Sequence, residues 1–235
     1  MEWSAKSATR AYLDALQLCR NHKRQYQNPG SNEFLSALAA GMKAKLIVEV
    51  TSHVSLSTIA LAVAARQTGG KIVCILTESV LDESKEVINN FGLKDQVEFK
   101  TDEDPSEALP YYGNIDFFLV DCKDEDYTKL LNLLDVNLTR SIVVAKNLIG
   151  ESDKKRLRWC LRGKDEKLEV RSLRHPLENG MEVTWIRKND DTNKGFRDGA
   201  NYNRKKTKSS WIAKFDEESG EEHIYRVPHV DWFWS

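Results

Sequence analysis

The stretch from Lys45 to Gly70 constrains the fold more than any other part of this chain. Leu46 to Val50 (LIVEV) is a short apolar run, the pattern of a parallel strand covered on both faces. The segment that begins at Leu56 is too long for a strand and rich in alanine and leucine. Gly69-Gly70 follows it, so it reads as a buried helix. Strand, short connection and helix form the opening unit of a nucleotide-binding α/β sheet. Such a unit holds a polar or anionic ligand at the helix N-terminus, where unpaired N–H groups and the positive dipole end point outward. The connection here, Thr51-Ser52-His53-Val54-Ser55, contains no glycine.

Other elements alternate around this unit. Helices are expected over Ser4 to Arg20, with Ala8, Tyr12, Leu16 and Cys19 on its buried stripe and Ser4 as N-cap, and over Glu33 to Met42, capped by Ser31 or Asn32. Strands follow at Lys71–Leu76, Val97–Lys100, Ile115–Val120 and Ser141–Ala145. Helices lie between them at Leu81–Phe91, Asp124–Leu134 and Ser152–Leu161, with a turn of helix at Ser106–Leu109. Strands alternating with helices at this spacing predict a mostly parallel sheet with both faces covered. The rhythm then breaks. Leu168–Leu173 and Met181–Ile186 are two strands with a turn and no helix between them, so they close the sheet as an antiparallel pair.

The main domain is expected to span residues 1–188. Residues 189–209 form a polar linker carrying Arg204-Lys205-Lys206. Residues 210–235 form a hairpin (Ser210–Phe215 and Glu222–Val227) with an aromatic end, Trp232-Phe233-Trp234. An isolated hairpin is marginal in water, so this one should dock on something, a protein partner included.

With 35 basic and 36 acidic residues the formal charge is −1, which argues against a nucleic-acid partner. Cys19, Cys74, Cys122 and Cys160 are too scattered for a zinc or redox pair, and Cys74 and Cys122 belong to strands as small apolar residues. The first residues lack a basic region and an apolar run, and Ile59 to Ala65 is too short to cross a bilayer. These features predict a soluble protein of the cytoplasm or nucleus. Arg204-Lys205-Lys206 reads as a solvated linker in preference to an import signal.

Ala40 to Glu49, Leu61 to Arg66, Gly70 to Cys74 and Phe118 to Asp121 resemble a plant family of unknown function described as Rossmann-like and methyltransferase-like. The likeness covers residues 1–188. At greater distance the chain is similar to the metal-dependent plant O-methyltransferases that act on caffeoyl-type thioesters. That resemblance implies S-adenosylmethionine as cofactor, bound by Glu49, Thr51, His53, Ser55, Glu78, Asp102 and Asp121. It also marks departures. Thr51 and Ser55 stand where the distant family has glycines, and Leu76 stands where it has an acid for the ribose hydroxyls, with Glu78 the nearest substitute. Asp121 and Asp124 match its acidic turn, beside Lys123. Lys146-Asn147 replaces the aspartate-asparagine pair that completes its metal site, so no metal is expected here.

The same residues admit plainer roles. Glu49 reads as a ligand-edge or helix-capping acid in preference to a catalytic base. Asp121 is either a site residue or a turn former, and His53 an acid, base or ligand where a loop histidine is commonly just solvated. No catalytic residue is assigned. The sequence predicts a methyltransferase-like α/β protein of undetermined activity, or a non-catalytic interaction module that keeps the fold and binds a protein through the hairpin.

Overall fold

A computed structural model describes residues 3–22, 30–121, 127–148, 168–175, 177, 180–188, 209–215 and 222–228. The expected helix at Ser152–Leu161, most of the linker, Cys122, Lys123, Asp124, Cys160 and the Trp232–Trp234 end lie outside the described residues. The chain divides into two compact units, Met1–Asn189 and Asp190–Ser235.

The first unit opens with α1 (Ala5–His22) and α2 (Ser31–Gly41). Then come β1 (Leu46–Val50), α3 (Leu56–Thr68), β2 (Lys71–Leu76), α4 (Leu81–Asn90) and β3 (Val97–Thr101). After these follow α5 (Pro105–Ala108), β4 (Phe117–Asp121), α6 (Tyr127–Leu133), β5 (Ser141–Lys146), β6 (Leu168–His175) and β7 (Met181–Lys188). The seven strands form one sheet in the order β3-β2-β1-β4-β5-β7-β6. β1 pairs in parallel with β2 and β4, and β4 with β5, whereas β7 runs antiparallel to both β5 and β6. In the second unit β8 (Ser209–Phe215) and β9 (Glu222–Pro228) pair antiparallel as a separate two-stranded sheet.

Side-chain alternation along the strands splits the core into two layers. Ile47, Ile72, Leu119 and Val144 face a layer made with α1, α2 and α3. Val48, Val73, Phe118 and Val143 face the other, where Leu109, Leu131 and Leu134 cover them. Nine consecutive residues of α3, Ser57 to Ala65, are buried, which explains why its sequence shows no polar face. The helix stops at Gly69 in the left-handed conformation (φ 62°). Gly70 then passes against the Lys45 and Ala44 carbonyls too closely for a Cβ.

Two local expectations need correction. The buried stripe of α1 is Ala8, Ala11, Ala15 and Cys19, while Tyr12 is exposed and Leu16 only half-buried. Alanines let α1 approach α2 closely enough for the Ser36 hydroxyl to donate to the Ala11 carbonyl (3.2 Å), and the larger residues are turned aside. The cap of α2 is Gly30 and neither Ser31 nor Asn32. The Glu33 carboxylate accepts from the Gly30 N–H (3.0 Å), doing from inside the helix what a capping side chain would do from outside. As expected, the Ser4 hydroxyl accepts from the Ser7 N–H at the start of α1 (3.2 Å).

Candidate functional site

In an open α/β sheet ligands gather outside the C-terminal ends of the strands, where the strand order reverses. Here the reversal lies between β1 and β4, and a cavity of about 380 Å³ opens there. Its floor is apolar: Val50, Leu76, Val120 and Leu130. Its rim carries Thr51 and Ser52 after β1, Thr77 after β2, Glu103 and Asp104 before α5, Asp121 at the end of β4, and Lys129 of α6. Two backbone bonds extend the sheet past its strand ends and fix that rim. The Thr51 N–H donates to the Ile75 carbonyl (3.2 Å) and the Asp102 N–H to the Leu76 carbonyl (3.1 Å).

The β1–α3 connection satisfies itself. The Thr51 hydroxyl donates to the His53 carbonyl (3.0 Å), and the Ser52 hydroxyl lies 3.0 Å from His53 Nδ1. Ser55 is the N-cap of α3, its hydroxyl accepting from the Ser57 N–H (3.3 Å), and its own N–H donates to the Thr58 hydroxyl (3.1 Å). None of these residues has a positive φ; among the described non-glycine residues only Lys43, Asn114 and Asn147 do. The path from β1 to α3 therefore makes no demand for glycine. Its cost is that N–H groups at the helix end, expected to face a ligand, are held by the chain's own side chains.

Under this connection lies a buried polar chain. Lys146, the last residue of β5, donates from Nζ to the Ser57 hydroxyl (3.0 Å), which donates to Glu49 Oε1 (2.9 Å). Lys146 Nζ also stands 3.8 Å from Asp121 Oδ2, and Asn147 Nδ2 donates to Asp121 Oδ1 (2.5 Å). Glu49 is 1% exposed, and its Oε2 has no hydrogen-bond partner among the described residues. Burial pushes the Glu49 carboxyl up, while the Lys146 charge and the Thr58 and Ser57 hydroxyls act the other way. The neighbouring Cys74 thiol is pushed well up, first by its own burial and then by the Glu49 charge. At the cavity rim, Asp104 is held down at about 2 by hydrogen bonds from Lys129 (2.8 Å) and from the Ser106 side chain and backbone.

The model of the family described as "Protein of unknown function (DUF1442)" matches residues 1–227. The chain belongs to that family. No curated protein matches its sequence. Among solved structures, this DUF1442 chain is similar to a methyltransferase from Geobacter sulfurreducens, with 17% identity over 74% of this chain and 87% of the other, and a TM-score of 0.54. It is also similar to the Podospora anserina methyltransferase PaMTH1 solved with S-adenosylhomocysteine (20% identity, 77% and 88% covered, TM-score 0.52). A third is the Streptomyces achromogenes O-methyltransferase TomG, involved in tomaymycin synthesis and solved with S-adenosylmethionine (20%, 75% and 87%, 0.51). At these identities the likeness establishes the fold: a Rossmann-like methyltransferase sheet with helices around it and an antiparallel pair at its end.

The seven expected site residues scatter within this DUF1442 fold. Thr51 and Asp121 line the cavity. Glu49 lies beneath it, sealed off by Ser57, and Ser55 is taken up in capping α3. His53 is exposed on the connection, and Glu78 is exposed in a 3₁₀ turn, Glu78–Val80, so that Thr77 and not Glu78 reaches the rim. Asp102 acts as a turn former, its Oδ1 accepting from the Asp104 N–H (3.2 Å). Glu103, Asp104 and Lys129 line the cavity without having been singled out from sequence. Asp104-Pro105 carried a readable signal, an N-cap acid before a proline at the first helical position, which marks where a strand-to-helix turn meets the sheet edge. Lys129 carried none, since its place depends on how α6 packs.

Proposed function

We propose that this DUF1442 chain binds a nucleoside of the S-adenosylmethionine type in the cavity at the ends of β1, β2 and β4, and that any activity it has is methyl transfer. The observation that carries this reading is the position of the cavity at the strand-order reversal, with an apolar floor and a polar rim. Solved proteins of the same fold, PaMTH1 and TomG, hold S-adenosylhomocysteine and S-adenosylmethionine. Val50, Leu76 and Val120 would hold the apolar parts of the ligand, and Thr51, Thr77, Glu103 and Asp121 its polar ones. When bound, the cofactor supplies an electrophilic methyl group on sulfur. The protein's part is then to hold an acceptor in line and keep water out.

Binding should be weak. Leu76 puts no carboxylate at the end of β2 itself, so a charged contact to the ligand there has to come from a neighbouring turn. Thr51 adds a side chain to the rim, and the Ser57 N–H is already bonded to Ser55. The described residues here do not suit a divalent cation. Magnesium needs several oxygen ligands in octahedral order, yet Asp121 faces the Lys146 ammonium at 3.8 Å and the Asn147 amide at 2.5 Å.

Calorimetric titration of the full chain with S-adenosylmethionine tests the reading. A dissociation constant of roughly hundreds of micromolar is expected, with no change on adding EDTA or magnesium. No heat at millimolar ligand would overturn it. The second reading, a non-catalytic interaction module, is favoured by the self-satisfied β1–α3 connection and would then stand alone, with the β8–β9 hairpin as the surface to test against protein partners.

A further inference from the structure

We infer that Glu103 recognises the ribose diol of the bound nucleoside, the role that Leu76 leaves open. This rests on the nucleoside reading above. A vicinal diol presents two O–H donors, and a carboxylate with both oxygens free is the side chain best matched to them. Among the described residues the cavity has three carboxylates on its rim, and two are already engaged. Asp121 is taken by Asn147 and Lys146, and Asp104 accepts from the Ser106 N–H (2.9 Å) and from Lys129 (2.8 Å). The Thr77 hydroxyl is 3.0 Å from that of Ser79. Glu103 lines the same cavity and makes no hydrogen bond or ion pair among the described residues.

Its placement is also built. Leu76 is in register with Thr101 in the β2–β3 pair, so the turn that follows β3 passes directly beside the end of β2. The backbone on either side of Glu103 is pinned, the Asp102 N–H to the Leu76 carbonyl (3.1 Å) and the Asp104 N–H to Asp102 Oδ1 (3.2 Å). A carboxylate lost from the end of one strand is thus replaced by one from the turn after its neighbour.

The test uses the full chain and its Glu103→Gln variant, titrated by NMR with adenosine, 2′,3′-dideoxyadenosine and S-adenosylhomocysteine. Glu103 is exposed, so the isosteric change leaves the fold intact, and equal melting temperatures check this. Adenosine should bind the unmodified chain about tenfold more tightly than its dideoxy analogue, and the variant should lose that preference. S-adenosylhomocysteine should weaken about tenfold in the variant. If the variant keeps the preference for adenosine, or the unmodified chain lacks it, Glu103 is not the diol's partner and the inference fails while nucleoside binding stands. If none of the three binds the unmodified chain at millimolar concentration, both readings fail together.

Discussion

The ammonium of Lys146 stands 3.8 Å from Asp121 Oδ2, across the ends of adjacent strands where the two residues are in register, and both side chains are largely buried. Through Ser57 the same ammonium also faces Glu49, so one cation serves two carboxylates. Removing one partner of a buried pair leaves the other charge uncompensated, which is far more damaging than the pair is stabilising.

Lys146→Met should accordingly destabilise the chain by about 3 kcal/mol. Urea denaturation at neutral pH measures it. A loss below about 1 kcal/mol would show that water reaches the carboxylates and compensates them, as it does in exposed pairs.

Glu49 makes stability depend on pH in a direction opposite to most carboxylates. Its folded-state pKa is raised above the ordinary 4.5 by burial. Between those two values the folded chain binds more protons than the unfolded chain, so stability falls as pH rises through that window. Glu49→Gln removes the dependence. Melting temperatures of the two chains, followed upward from pH 4.5, should shift in favour of the variant as pH rises. A constant difference across the range would contradict the assignment.

Gly70 follows α3 where its chain turns back into β2. A Cβ there would lie 2.6 Å from the Lys45 carbonyl oxygen and 2.8 Å from that of Ala44, both backbone atoms that cannot swing away. Gly70→Ala should cost about 1–3 kcal/mol by overpacking, read as a lower urea midpoint with an unchanged slope. Gly92→Ala has open space around it, so whatever it costs comes from its left-handed backbone (φ 65°) alone.

Most of the fold could be read from the chain because its signals are local. The runs around Ile47, Val73, Phe118 and Val143 are apolar on both faces, and a helix or turn signal separates each from the next. The site was less legible. Thr51 and Asp121 could be placed at the crevice from sequence because residues at or just past a strand's C-terminal end point at it by rule. From sequence Glu49 reads as a ligand-edge or helix-capping acid, and its burial is not legible there because it depends on Ser57 and on Lys146, which bond across 89 positions of sequence. Tyr12 and Leu16 were placed in the α1 stripe on helical spacing, whereas close helix contact selected the alanines.

The β1–α3 connection has one further consequence. A glycine-rich loop is pliable and takes its final shape around what it holds. Here Thr51, Ser52, His53, Ser55 and Thr58 bond among themselves, so the entropy of ordering the loop is spent when the chain folds. Any molecule entering the cavity meets a wall already set, and selects itself by fitting that wall without reshaping it.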